Sequence, residues 1–339
     1  MTIYLAAFGT MLSAIFILAA NSWMQNPVGT VFNTGRAELD GVEGFIEVLT
    51  NPVLLVTFPH VIASAYMVGG GLMAAIAGWH LAKINRDGES KPGDTGAYRF
   101  AVRLGAWVML AASVVTIISG DAQSKTMTQV QPMKMAAAEA LFETEKNASF
   151  SVFTIGTLDG TEEVWALKIP GLLSILSGHE EVKGINNLIE EFETEGFRQF
   201  DGTRTTIQEQ YASEIAANYP GLDPTPIIPI SYWTFRLMMG LGFAGMAIAA
   251  LTLWVTRKDQ LPKPGTLWTL LMFAMPLLPL FAISFGWIFT EMGRQPWVVA
   301  GVMPTASGVS PTVGAGTVLL SMITYTLIYG GLAVIEVWL

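Results

Sequence analysis

The sequence predicts an all-α, polytopic membrane helix bundle, and three observations carry that expectation. Of its 339 residues 52% are hydrophobic and only 13% are charged, outside the usual balance of a soluble domain. Several uninterrupted apolar runs reach about 20 residues, enough to cross a hydrocarbon core of about 30 Å. Basic residues gather in alternate short connections, the bias that orients membrane helices. Cysteine is absent, which removes disulfides, iron–sulfur ligation and a thiol nucleophile. Any metal must be held by His, Met or carboxylate, and there are three histidines. The formal charge of −9 is unevenly spread and says little by itself. No nucleic-acid partner is expected.

Six spans follow in order. Residues 2–22 are apolar without a basic leader, and Asn21-Ser22-Trp23 is a poor cleavage site, so the first run reads as a span rather than a signal. An acid-rich loop follows, with Glu38, Asp40, Glu43 and Glu47 against Arg36. Spans 52–82 and 99–120 are joined by a connection that, with its flanks, carries Lys83, Arg86, Lys91, Arg99 and Arg103. Spans 230–256 and 266–291 are joined through Arg257, Lys258 and Lys263, and the last span is 313–338. Basic connections belong inside and acidic ones outside, and the alternation is consistent across all six. The chain divides into membrane spans at 1–123, an extracytoplasmic insert at 124–228 and membrane spans at 229–339. It stops at Ile335-Glu336-Val337-Trp338-Leu339 without a polar exit, which suggests an incomplete chain.

The insert is no membrane element. Pro132 to Glu145 reads as a short helix rich in Met and Ala, and Ser149 to Ile155 as a strand before a Gly-Thr-Leu-Asp-Gly turn (156–160). Polar helices are expected around Val182 to Phe197 and Thr206 to Ala217. Pro220, Pro224, Pro226 and Pro229 bring the chain back to the membrane extended.

The candidate chemistry clusters at the outer face. Gly286 to Trp297 reads G-W-I-F-T-E-M-G-R-Q-P-W and places Glu291 and Arg294 where a span ends. Ionisable groups at membrane depth are costly unless paired or ligated. The bland alternative is a pair of headgroup-level charges flanked by belt residues Trp287 and Trp297. His60 begins one inward-running span, Met238 begins another and Glu291 ends an outward-running one, so all three fall at nearly one depth. A His and a Met converging from two helices make a six-coordinate haem site of the electron-transfer kind, although most methionines in spans only pack. Arg236 and Arg294 are placed to neutralise haem propionates. Lys134 and Glu139, five apart, offer paired acid and base groups for a quinol hydroxyl, or else a solvated helix surface. Asp121 is a weaker candidate, His80 reads as interfacial and His179 as solvent-facing.

These residues resemble subunit I of cytochrome bd quinol oxidase. The resemblance runs through all six spans and rests on N-S-W-M-Q-N-P (21–27), F-P-H (58–60) with A-S-A-Y, V-Q-P-M-K-M-A-A-A-E (130–139), F-R-L-M (235–238) and G-W-x-x-x-E-M-G-R-Q-P-W (286–297). It implies a multi-pass protein of the bacterial cytoplasmic membrane with a periplasmic quinol loop, here in a shorter version. It implies an enzyme, a quinol:oxygen oxidoreductase that generates a proton gradient. His60 and Met238 then match the axial ligands of a low-spin haem b, and Arg236 the arginine that tunes it. Glu291 matches a carboxylate of the oxygen-site pair, a high-spin haem b with haem d or b. Trp287 falls between haems, Arg294 near propionates, and Lys134 with Glu139 at the quinol. A second membrane subunit, a small accessory subunit, quinol, O2 and lipids are the implied partners. The family carries nine spans, so three preceding ones, with further oxygen-site ligands, are expected beyond this chain. The rival readings are an electron-transfer-only or non-catalytic cytochrome b, and a solute transporter with sites at midplane.

Overall fold

The computed structural model of the chain describes every residue except Met1, Thr34, Gly35, Ser90, Leu158, Asp159, Thr161, Pro311 and Leu339, and only the backbone of Asp259 and Val337. The turn expected at 156–160 therefore lies partly outside the described residues. In chain order the elements are α1 (Thr2–Gln25), a hairpin of β1 (Thr30–Asn33) and β2 (Arg36–Leu39), α2 (Gly41–Leu49), α3 (Pro52–Asp87), α4 (Asp94–Val130) and α5 (Pro132–Glu139). Then come β3 (Glu145–Lys146), β4 (Phe150–Gly156), β5 (Glu163–Ile169), α6 (Leu172–Ser177), β6 (Glu181–Val182), α7 (Ile185–Glu195) and α8 (Thr206–Asn218). The chain closes with α9 (Ile228–Val255), α10 (Thr266–Met292), β7 (Trp297–Val299), β8 (Met303–Pro304) and α11 (Ala315–Trp338). All strand pairs are antiparallel ribbons of two strands.

Among the described residues six helical stretches are long and apolar enough to cross a membrane, matching the six predicted spans. The chain forms two compact units. Residues 305–339, with α11, make up the second, and the first holds everything described below.

Helix α3 packs on α4 and α10, and α9 packs on the same two, so α3 and α9 occupy opposite corners of a four-helix ring. Small residues let the backbones close. A Cβ at Gly70 would lie 2.7 Å from the Gly105 carbonyl, and one at Gly105 would lie 2.6 Å from that of Gly70. Pro279 deprives the Met275 carbonyl of its helical donor, and Gly71 lies directly over that carbonyl, at 2.7 Å from a built Cβ. Met109, Leu81, Met272 and Met275 fill the ring below this level.

Three local devices set the outer end of the ring. Asn51 caps α3 by accepting from Val53 N–H at 3.0 Å, with Pro52 in the first turn, and its amide donates to the Asn26 carbonyl at 2.8 Å. That fixes the end of α1 against the start of α3. Helix α4 runs about ten residues past the predicted end of its span, carrying the chain straight into the insert. Helix α5 ends at Glu139 rather than 145 because Ala140 turns left-handed (φ 49°). It is not a solvated helix: Lys134, Met135, Ala136, Ala137, Ala138 and Glu139 are all buried.

Candidate functional site

Between the four corner helices and α5 lies a cavity of about 570 Å³. Five of the eight candidate residues are on its wall: His60, Lys134, Glu139, Met238 and Trp287. His60 comes from α3 and Met238 from α9, so the two donors face one space from opposite corners. Gly286 makes room for the thioether, since a Cβ there would lie 2.9 Å from the Met238 sulfur. Ser119 gives its hydroxyl proton to the Val115 carbonyl at 2.7 Å, and its oxygen lies 3.2 Å from His60 Nδ1. That oxygen is thus an acceptor, which places the proton on Nδ1 and leaves Nε2 with its lone pair. Trp287 packs with Leu18, Leu54, Phe58 and Val61 between α1, α3 and α10.

The remaining three, Arg236, Glu291 and Arg294, stand behind that wall in two ion pairs. Arg236 Nη2 donates to Glu139 Oε2 at 2.6 Å, with both side chains buried, and Arg236 Nε donates to the Ser151 carbonyl at 2.6 Å. Ser151 N–H completes the ring by donating to Glu139 Oε2 at 3.2 Å. The guanidinium also lies over the Phe150 and Tyr232 rings, each 4.6 Å from the centroid. Arg294 Nη2 donates to Glu291 Oε2 at 2.5 Å, although the Glu291 side chain is 43% exposed. Among the described residues Arg236 Nη1 and Arg294 Nε and Nη1 are buried without a hydrogen-bond partner. The guanidinium charges that sequence reasoning reserved for propionates are thus already matched by carboxylates, with N–H groups left over.

Lys134 and Glu139 share the cavity but are not a pair. Lys134 Nζ donates to Gln25 Oε1 at 3.2 Å and to the Thr290 carbonyl at 3.1 Å, and its stem lies against Gly293. Burial, reinforced by the nearby Arg294 charge and opposed by Glu291, pushes the Lys134 ammonium down to about 7. Burial pushes Glu139 up to about 6 against the opposing pull of Arg236 and the Ser151 N–H. Burial likewise lowers Arg294, with Glu291 opposing.

Sequence reasoning gave no role to Asn21 and Gln25. Gln25 Nε2 donates to Asn21 Oδ1 and Asn21 Nδ2 donates to Glu291 Oε1, both at 2.9 Å, so a chain of bonds runs from Lys134 to Arg294. The signal was two amides one helical turn apart in an otherwise apolar span. Asp121 lines the cavity and pairs with Lys125 at 2.7 Å. His80 stacks on Tyr98 at 4.5 Å, and His179 is half-buried against Phe200 at 4.1 Å rather than fully solvent-facing.

The family model described as cytochrome bd terminal oxidase subunit I matches residues 1–339. The chain belongs to that family. Among cytochrome bd subunits, it is 34% identical over 344 residues to cytochrome bd ubiquinol oxidase subunit 1 of Bacillus subtilis (strain 168), covering 99% of this chain. It is 29% identical over 373 residues to cytochrome bd-II ubiquinol oxidase subunit 1 of Escherichia coli (strain K12), covering 99% of this chain and 70% of that one. The fold matches the bd oxidase from Geobacillus thermodenitrificans with a TM-score of 0.71 and 29% identity, covering 98% of this chain and 66% of that one. The chain spans 65% of the length of the B. subtilis relative. As a member of this cytochrome bd family with its set of apolar helices, it is a multi-pass protein of the bacterial cytoplasmic membrane.

Proposed function

We propose that this chain is part of a haem-containing terminal quinol oxidase, which takes electrons from quinol at the outer face and reduces O2 to water. The observation that carries the reading is the convergence of His60 and Met238 on one cavity from opposite corners of the bundle. Imidazole and thioether are the donor set of a six-coordinate electron-transfer haem. A cavity of about 570 Å³ also lies within the range of pockets that bury cofactors, roughly 300–1,000 Å³. The leftover N–H groups of Arg236 and Arg294 suit carboxylates such as propionates. The residues therefore fit a low-spin haem b, which supplies reversible one-electron transfer when bound.

The chain's own residues do the rest. Ser119 holds the His60 tautomer that frees Nε2 for ligation, and Gly286 lets the Met238 sulfur approach. Glu139, with its proton affinity raised by burial, accepts a proton from the quinol hydroxyl, and Lys134 donates a hydrogen bond to a quinol oxygen. Arg236 keeps Glu139 in place between turnovers. Trp287 forms part of the cavity wall and would lie beside the group held there. Protons from quinol are released outside and those for water are drawn from the cytoplasm, so charge separates without a pump. Residues 124–228 act as the quinol loop between membrane parts 1–123 and 229–339, and a second subunit with a small accessory one completes the enzyme.

The oxygen-site pair, a high-spin haem b with haem d or b, is a different case. Among the described residues the one candidate ligand is Glu291, whose two oxygens are already engaged by Asn21 and Arg294, and no group of three His or carboxylate side chains stands ready to hold a metal. No step is derived through it. The second reading is a cytochrome b that transfers electrons without reducing oxygen.

Visible spectra of the purified parent protein and of His60→Ala and Met238→Ala variants test the first reading. Both variants are expected to lose the low-spin haem band, and a band unaltered in both overturns the assignment. Lys134→Ala and Glu139→Ala are expected to slow quinol oxidation with the band intact. O2 uptake driven by quinol separates the oxidase from the electron-transfer cytochrome.

A further inference from the structure

The β4–β5 hairpin is built inside out. On its inward face Ser151 and Thr154 are 1% and 4% exposed, and they are polar, hydrogen-bonded to each other, with Ser151 also bonded to the Tyr232 hydroxyl. On its outward face Phe153, Ile155, Trp165, Leu167 and Ile169 are 40–54% exposed. The register pairs Phe153 with Leu167 and Ile155 with Trp165, so these four make one apolar patch, while Ile169 pairs with Phe150 across a bulge. A hairpin on a water-soluble surface carries the opposite pattern, apolar inside and polar outside. Outward apolar and inward polar alternation is the pattern of strands that meet lipid.

Position fixes which apolar phase this face meets. Ser151 accepts from Arg236, eight residues into α9, which is about 12 Å along the helix from Ile228. Phe153 then packs on Trp233 at 5.0 Å between ring centroids, and Gly160 lies against Pro229 at the helix start. The hairpin thus climbs along the outermost two turns of a membrane span. Its apolar face meets that span at Trp233, and Ile230 and Leu237 of the same helix are also exposed. A two-stranded ribbon leaves unpaired backbone groups on both edges, which hydrocarbon does not tolerate, so its place is the headgroup boundary rather than the bilayer core. Trp165 and Trp233 are the residue type concentrated there.

We propose that the β4–β5 hairpin is a lipid-anchored element, its outward face seated in the outer leaflet interface beside α9. The inference rests on the membrane-spanning fold and not on the oxidase reading, so either can fail alone. None of the 339 residues is cysteine, so a single introduced cysteine is unique within the chain. Spin labels at Ile155→Cys, Trp165→Cys and Leu167→Cys in the whole oxidase, reconstituted into phosphatidylglycerol–phosphatidylethanolamine vesicles, report local surroundings. The parent preparation carried through labelling supplies the background, with Phe273→Cys as the helix reference and Glu193→Cys as the aqueous one. The expected result is an accessibility ratio of oxygen to a water-soluble nickel chelate several-fold above that at Glu193→Cys. Ratios equal to that at Glu193→Cys would overturn the proposal by showing a water-facing hairpin. Exclusion of both probes would overturn it by showing the face covered with protein.

Discussion

At the scale of single residues, Lys134 shows how far a buried site departs from ordinary side-chain chemistry. Its ammonium is held at about 7 against 10.5 in an open chain, so between those values the unfolded state binds more protons. The cost of burying the charge is present in full below pH 7 and is relieved as pH rises toward 10.5. Glu139 runs the other way, since its carboxyl is held at about 6 against 4.5. Its burial cost grows as pH rises from 4.5 to 6. Thermal melts of the purified protein against pH are expected to show both trends, with Lys134→Met flattening the alkaline rise and Glu139→Gln the acidic fall. Slopes identical to those of the parent would remove both groups from the account. None of this was legible beforehand, because the partners that bury these groups lie 156 residues away for Lys134 and 97 for Glu139. Sequence reasoning saw two charges on one short helix. The structure separates them into different hydrogen-bond rings.

At the scale of elements, the spans were legible because an apolar run of membrane length has few other uses. Each predicted span lies within a few residues of its helix except at the end of α3, which runs on as exposed polar helix, and at the end of α4, which runs on as half-buried wall of the cavity. Every strand but β4 was missed, as were α2 and α6. In β5 the residues Glu163 to Ile169 carry apolar side chains outward, so the usual inference from alternation to a buried face does not hold. The α3–α4 crossing rests on two glycines whose backbones touch, which makes it testable. Gly105→Ala would place a methyl 2.6 Å from the Gly70 carbonyl and is expected to cost about 1–3 kcal/mol, read as a lowered melting temperature. Gly69→Ala, where a methyl meets open space, serves as the control and is expected to leave the melt unchanged.

At the scale of the molecule, the division into membrane parts and a loop at 124–228 describes the sequence better than the folding unit. The insert's two most buried charges find their partners on α1, α9 and α10, so removing those helices strands a lysine and a glutamate in an apolar interior. The excised segment 124–228 is therefore expected to show no cooperative melt by circular dichroism, whereas an autonomous domain would give one.

The diagonal placement of α3 and α9 has a mechanical side as well. On the proposed reading, a rigid guest held between His60 on one side and Met238 on the other would work as a crossbeam, bracing two posts that share no long seam of their own. Taking such a guest out would free those posts to splay, and the slackness would pass into α4 and α10, which touch both.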